Sequence, residues 1–381
     1  MDMVGLRRVL VAALFAGVWM NHSPVESAPS HRFVVTAAQV TDLGTLGGAQ
    51  SAALDINNSG QVVGWAATAM GIRHAFLSSG GTMSDIGSVF GNEDSEAVGI
   101  NASGTVAGTL TDQAGSTAFI MNGSAATSLF APIALNPPFN STHATGINDA
   151  GEVSGGTPFF PTFWFSNAHA AQLAGNGEAK GLNASGVVVG DGDGKGQVWT
   201  FKTCRIAPDE ACAQDVPLPD PAANYDPVYE AFAISDQGEV VGTATRTAGV
   251  PSPVKRAYYW NGAAAASVEL GVLPTGSNSH GQDINGMHFI AGYADERTLP
   301  LPTFNVTRDR AFLYHHDFGL FALPTLPVTG LLGSCRAFAL NGLPLSTGLV
   351  QLVGLCDVAG GITHAVRWDV TIASVPIFLR P

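Results

Sequence analysis

The chain predicts an all-β fold, a single β-propeller of seven four-stranded blades. Three observations carry that reading: a turn motif that returns seven times, an aromatic strand downstream of each turn, and a blade-sized spacing between copies.

Each copy of the motif begins with a β-branched residue or leucine and a turn-forming polar residue. Two more residues, usually a glycine, and a short apolar strand ending in glycine follow. Ile56-Asn57-Asn58-Ser59-Gly60 precedes Val62-Val63-Gly64, and Ile100-Asn101-Ala102-Ser103-Gly104 precedes Val106-Ala107-Gly108. Ile147-Asn148 leads through Gly151 to Val153-Ser154-Gly155, Leu182-Asn183 through Gly186 to Val188-Val189-Gly190, and Ile234-Ser235 through Gly238 to Val240-Val241-Gly242. Two copies are worn. Ile284-Asn285 reaches Ile290-Ala291-Gly292 with His288 in the glycine slot, and Leu340-Asn341 reaches Leu352-Val353-Gly354 only after an insertion. Asn or Ser at the turn can bond its side chain to backbone two residues on, and glycine supplies the positive φ of a type I turn followed by a G1 bulge. Each copy is therefore a β-hairpin.

A third strand follows every hairpin: His74-Ala75-Phe76-Leu77, Thr117-Ala118-Phe119-Ile120, Thr162-Phe163-Trp164-Phe165 and Gln197-Val198-Trp199-Thr200. The later copies are Arg256-Ala257-Tyr258-Tyr259, Arg310-Ala311-Phe312-Leu313 and His364-Ala365-Val366-Arg367. A fourth follows several of these, at Met83 to Gly87, Val268 to Gly271 and Phe321 to Pro324. The markers Ile56, Ile100, Ile147, Leu182, Ile234, Ile284 and Leu340 are 44, 47, 35, 52, 50 and 56 residues apart, which brackets the roughly 40 to 50 residues of a propeller blade. The gap from Ile147 to Leu182 leaves least room and is where a strand is most readily lost. One four-stranded sheet cannot bury both faces alone, so the units should stack around an axis, with aromatics and Val-Val pairs between sheets. Gln39 to Gly44 resembles the fourth-strand element Met83 to Gly87, so it is expected to pair into the last sheet and close the ring. Thr371 to Val375 is the other strand available for that role.

At 12% charged residues, 46% apolar residues and 46 glycines, the 381-residue chain fits short buried strands and tight turns. Arg7-Arg8, the apolar run Val9 to Met20 and the small residues before Ala28 have the zones of a secretory signal peptide over residues 1–27, leaving 28–381 as one propeller domain. That apolar run is too short to span a membrane. Removing Asp2, Glu26, Arg7 and Arg8 leaves 15 basic and 28 acidic residues, the same net charge of −13. An acidic surface argues against nucleic acid or anionic membrane as partner. Export to the periplasm or medium permits disulfides. Cys335 and Cys356 flank the last hairpin and are expected to pair, and Cys204 and Cys212, close together in a Pro-rich insertion running to Pro227, are expected to form a second local bridge.

Asp42-Leu43-Gly44-Thr45-Leu46-Gly47-Gly48, Ser51 to Asn57, Gly60-Gln61-Val62-Val63-Gly64 and His74-Ala75-Phe76-Leu77 resemble the HAF repeat of bacterial exported proteins, named for its His-Ala-Phe triplet. The first unit matches closely. Later units keep the turn and lose the triplet, which survives as Thr117-Ala118-Phe119, Arg310-Ala311-Phe312 and His364-Ala365-Val366. The resemblance implies an extracellular or periplasmic repeat protein with a propeller-like body and transfers no catalytic or ligand-binding residue.

The chain has no Gly-x-Ser-x-Gly, His-Glu-x-x-His, Cys-x-x-Cys or Gly-Lys-Ser/Thr phosphate loop. No catalytic residue is assigned and no cofactor is expected. Asp191 and Asp193, in Asp191-Gly192-Asp193-Gly194, are the candidate Ca²⁺ ligands, yet the twelfth position of an EF-hand loop counted from Asp191 is Lys202, so a solvated hairpin turn is the favoured reading. His74 and His364 share one repeat position and should serve the blade. His315-His316-Asp317 reads as a surface turn, with metal binding as its rarer alternative. The sequons at Asn57, Asn101 and Asn183 fall on turns that need Asn for geometry.

The leading functional reading is a monomeric, non-catalytic binding module for an extracellular ligand, a glycan or a protein. Its loops would be Phe159 to Pro161, Cys204 to Tyr229 and Arg297 to Val306. The rival is a propeller hydrolase or lyase acting on extracellular polysaccharide or peptide. A funnel lined by acidic or histidine side chains of several blades would favour the enzyme, and a flat, aromatic or Asn/Gly-rich face would favour binding.

Overall fold

In a computed structural model, the structure describes residues 31–130, 141–166, 169–201, 213–218, 225–262, 267–297, 307–327, 333–342, 345–358 and 361–376. Residues 1–27, expected to be a signal peptide, and Cys204 and Cys212 lie outside the described residues.

Seven antiparallel sheets of four strands form the ring. Blade 1 runs outward through Gly47–Ile56, Val62–Thr68, Arg73–Ser79 and Thr82–Asp85. The inner strands of blades 2 to 7 are Asp94–Ile100, His143–Ile147, Gly177–Leu182, Tyr225–Ile234, Ser279–Ile284 and Cys335–Leu340. Helix among the described residues is limited to two short 3-10 turns, Gly87–Phe90 and Leu345–Thr347. No described helix is long and apolar enough to cross a membrane.

The two closure candidates are partners. His31–Gly44 is the outer strand of blade 7 and pairs along Thr363–Pro376, with His31 opposite Pro376 and Val35 opposite Ile372. Thr371 to Val375 is thus a continuation of the third strand. The N-terminal strand is further held by Asp317 of blade 6, whose Oδ2 accepts the Phe33 amide at 2.6 Å. Blade 3 keeps all four strands despite its short interval, because its second and fourth strands, Val153–Gly156 and His169–Gln172, have only four residues each. In blade 4 the Pro-rich insertion is not one loop. Ala213–Pro217 within it is the outer strand, paired with Lys195–Phe201, and Tyr225 already opens the next inner strand.

The hairpin glycine does what the turn requires: Gly60, Gly104, Gly151, Gly186 and Gly238 all have φ between 72° and 81°, and His288 takes the same region at 64°. The glycine ending each second strand has a different reason. A Cβ on Gly108 would lie 2.4 Å from the ring of Phe119 directly across the sheet, and one on Gly292 2.6 Å from that of Phe312. In these blades glycine and aromatic are one packing unit, and at every such glycine of the seven a Cβ would also meet an inner-strand carbonyl oxygen, at 1.9 to 2.3 Å. The Val-Val pair divides between neighbours: Val62 packs with Ala339, Val353 and Ala365 of blade 7, and Val63 with Ala97, Ile100 and Val106 of blade 2. Trp164, Trp199, Trp260 and Trp368 are fully buried on the third strands.

Two polar staples reinforce these apolar interfaces. The turn asparagine accepts backbone amides through its carbonyl oxygen, as Asn57 does from Ser59 at 3.0 Å and Gln61 at 3.1 Å. Its amide then donates to the turn of the next blade: Asn57 to the Asn101 carbonyl, Asn101 to Asn148, Asn148 to Asn183, Asn183 to Ser235, and Asn285 to Asn341, at 3.0 to 3.2 Å. The sequon asparagines 57, 101 and 183 are therefore buried. The second staple joins an inner-strand hydroxyl to the previous blade's third strand. Ser51 accepts from Ala365, Ser95 from Ala75, Thr142 from Ala118 and Ser279 from Ala257, at 2.8 to 3.0 Å. Cys335 replaces that hydroxyl in blade 7 and forms a disulfide with Cys356 directly opposite it.

Candidate functional site: the mouth of the central channel

Every inner strand breaks register at the same place. The breaks fall between Ala53 and Asp55, Ala97 and Gly99, Ala144 and Gly146, and Ala179 and Gly181. They recur between Ala231 and Ala233, Gly281 and Asp283, and Ala337 and Ala339. A β-bulge leaves one residue unpaired and re-aims its side chain. Here the residues are Leu54, Val98, Thr145, Lys180, Phe232, Gln282 and Phe338, and all seven line the central channel. The flanking positions stay small because neighbouring inner strands nearly touch: a Cβ on Gly181 would sit 2.6 Å from the Phe232 carbonyl oxygen. A fixed backbone thus presents seven side chains of six kinds to one axis.

The channel widens to a cavity of about 660 Å³ at the face where the inner strands begin. Hydroxyls line it on blades 2 and 3, from Thr109, Thr111, Ser116, Ser141 and Thr145, while Leu54, Phe232 and Phe338 form an apolar arc from blades 1, 5 and 7. Around it the charged groups are paired. Glu96 meets Arg73 at 2.9 Å, Glu178 meets His143 at 2.9 Å, and Lys180 reaches Glu230 at 2.8 Å and Asp191 at 3.1 Å while lying 4.6 Å from the centre of the Phe232 ring. The His143 hydrogen bond, aided by the nearby Lys180 charge, holds the Glu178 carboxyl below its ordinary range. Lys180 is pushed up, its two carboxylate partners outweighing the burial that alone would lower it. All of these contacts except Lys180–Asp191 cross a blade boundary, so the polar groups of the mouth are held by one another.

Deeper in, the channel narrows to a cavity of about 210 Å³ with two aspartates in its wall. Asp55 accepts the Ile56 amide and, at 2.7 Å, that of Ile100 in blade 2. Asp283 accepts Ile284 and, at 2.9 Å, Leu340 in blade 7. Burial outweighs those hydrogen bonds and pushes Asp55 up to about 6 and Asp283 up to about 7, the Asp55 charge adding to the latter. Both act as blade connectors at positions where other blades have glycine or alanine.

Of the residues singled out in the sequence, Asp191 and Asp193 each have a protein partner. Asp191 faces Lys180, and Asp193, at φ 53°, accepts the Asn176 amide through Oδ1 at 3.3 Å as part of a turn. His74 and His364 do serve the blade: each Nδ1 meets an aspartate of the outer strand, Asp85 at 2.8 Å and Asp42 at 2.9 Å. His315 is not on a surface turn. It is buried among Phe33, Phe289 and Phe318, and burial lowers its pKa to about 4, leaving it neutral. His315, His316 and Asp317 form the one compact group of three metal-type ligands among the described residues. Asp317 is already engaged by the Phe33 amide. Of the three binding loops, Phe159 to Pro161 lies at the mouth beside Pro158, and Phe159 is exposed. Cys204 to Tyr229 is divided by a strand, and 298–306 lie outside the described residues.

The bulge residues were missed, yet the sequence carries a signal for them. Each inner strand reads small, variable, small or Asp, Ile or Leu, then Asn or Ser, as in Ala179-Lys180-Gly181-Leu182-Asn183. The variable column is the channel lining.

No family model matches the chain, and no curated protein matches it. Among solved structures, it is similar to the β-propeller domain of the Trilobed protease from Pyrococcus furiosus, with 9% identity over 87% of this chain and 99% of that one, at a TM-score of 0.49. It is also similar to a gluconolactonase from Xanthomonas campestris, with 12% identity over 91% and 96% at 0.39, and to Trypanosoma rangeli sialidase, with 8% identity over 88% and 60% at 0.38. At these identities the likeness concerns architecture alone.

Proposed function

We propose that this protein is a secreted or periplasmic, non-catalytic binding propeller whose ligand enters the channel mouth. A neutral, hydroxyl-rich molecule, a glycan, suits that mouth better than a protein segment. The observation that carries the reading is the pairing of the mouth carboxylates with Arg73, His143 and Lys180. Glycoside hydrolysis needs one carboxyl kept protonated as general acid; Glu178 is shifted the opposite way, and the two raised carboxyls, Asp55 and Asp283, lie deeper in the channel and are engaged by the Ile100 and Leu340 amides. Acidic and histidine groups do come from several blades, as an enzyme would require, but their protons and charges are committed to one another. The hydroxyls of blades 2 and 3 bond within the wall and keep further hydrogen-bonding capacity; they face Leu54, Phe232 and Phe338, an arrangement suited to hydrogen bonds on one side of a sugar and apolar contact on the other.

The test is titration with a panel of neutral oligosaccharides, together with a turnover assay on the same panel. Phe232→Ala and Phe338→Ala are expected to weaken binding by about tenfold or more without changing the melting temperature appreciably. Turnover of a bound glycan that disappears in Glu178→Gln or His143→Ala would replace this reading with the enzyme.

A further inference from the structure

Blades 5 and 6 meet around a group of side chains that the other junctions lack. Ser235 stands where six blades have asparagine, and His288 stands in the glycine slot with its left-handed backbone. Between them lies buried Glu239. Its Oε1 is 2.6 Å from His288 Nδ1 and accepts the Tyr259 hydroxyl at 2.6 Å, while Oε2 accepts Ser235 Oγ at 3.2 Å. The repeat prepares this meeting, because the side chain at the Glu239 position of one blade lies against the next blade's turn glycine, as Gln61 does at Gly104 and Glu152 at Gly186. Among the described residues, only here does the slot hold a side chain that can answer. Beside it opens a cavity of about 350 Å³ walled by Tyr259, Val268, Ile290 and Tyr314, with His288 and His316 as its remaining lining residues.

We infer that this cavity binds a small phenol-type ligand, its ring against the apolar walls and its hydroxyl donating to Nε2 of His288. In the neutral imidazole Glu239 accepts the hydrogen bond of Nδ1–H, and that tautomer has Nε2 as its acceptor. Tyr259 cannot compete for the ligand's proton: its hydroxyl is committed to Glu239, and burial together with that carboxylate raises its pKa. The volume lies within the roughly 300 to 1,000 Å³ of small-molecule sites. This site is separate from the channel mouth and does not depend on what binds there.

The probes are p-cresol, toluene and benzoate, titrated into the full chain by calorimetry or NMR. p-Cresol is expected to bind about tenfold tighter than toluene or benzoate, the value of one well-placed hydrogen bond. His288→Gly, which restores the repeat residue but takes one partner from buried Glu239, should lower the melting temperature while leaving the chain folded, and bring p-cresol down to the level of toluene. His288→Asn, which also tolerates positive φ, should do the same. Equal affinity for p-cresol and toluene, tighter binding of benzoate, undiminished p-cresol binding in either variant, or no binding of any probe at millimolar concentration would each overturn the assignment.

Discussion

Blades 1 to 4 and the junction of blades 5 and 6 solve the same problem differently. From blade 1 to blade 5 the turn asparagines form an unbroken relay, each amide reaching the next blade's carbonyl. At blade 5 Ser235 is too short to continue it, and the buried Glu239 joins the blades through His288 and Tyr259 instead. The relay resumes from Asn285 to Asn341, and Asn58 closes the ring by accepting the Gly342 amide at 2.7 Å. Regular positions hold the ring, and departures from the repeat mark where it has something else to do.

The largest way to break that comparison is through the shared core. Trp199→Ala should cost about 3 to 5 kcal/mol in chemical denaturation, because a fully buried indole leaves a cavity the sheets cannot fill. Phe232→Ala, at a bulge and half-buried in the channel wall, should cost far less. Replacing Cys335 and Cys356 together by serine comes next, at about 3 kcal/mol for a closed loop of this length. The sequence separation is 21 residues, and a loss under reducing conditions equal to that of the variant would confirm the source.

Asn101→Ala sharpens the contrast. It strands the Ser103 and Thr105 amides and takes one of two donors from the Asn148 carbonyl, and should cost about 2 kcal/mol. Ser235→Ala removes one long hydrogen bond to Glu239 and one from its amide, and should cost less than about 1 kcal/mol. Equal losses at the two sites would mean that the relay adds nothing to the turn itself.

The smallest effect is on pH dependence. A carboxyl whose pKa is higher folded than unfolded makes the folded chain bind more protons between the two values, so its contribution to stability falls as pH rises through that window. For Asp55 and Asp283 the window runs from the ordinary 3.8 up to about 6 and about 7. Relative to the wild type, the Asp55→Asn, Asp283→Asn double variant should lose less stability between pH ~4.5 and ~7.5. An unchanged difference between those two pH values would remove the aspartates as its cause.

The ring was legible because its determinants are local and repeated. A turn needs Asn and Gly at fixed offsets, and a glycine opposite an aromatic shows in the sequence as Val63-Gly64 and Ala75-Phe76. The Cys335 and Cys356 pair was legible for the same reason, through symmetry about one hairpin. The second role of the turn asparagine was not, because its donor reaches across 35 to 56 residues to a carbonyl that any sequence would supply. His315 was misread because its burial comes from Phe33 and Phe289, distant in the chain. The channel lining was hidden by its own variability, since Leu54, Thr145, Lys180 and Gln282 share no chemistry, only a position between small residues.

One paired scan tests the central claim most directly: alanine at each bulge residue and each turn asparagine, with melting temperature and ligand binding measured on every variant. The account predicts that the turn variants lose several degrees and keep their affinity, while the bulge variants keep their melting temperature and change affinity, most at Phe232 and Phe338. Bulge variants that melt early with affinity intact would contradict it.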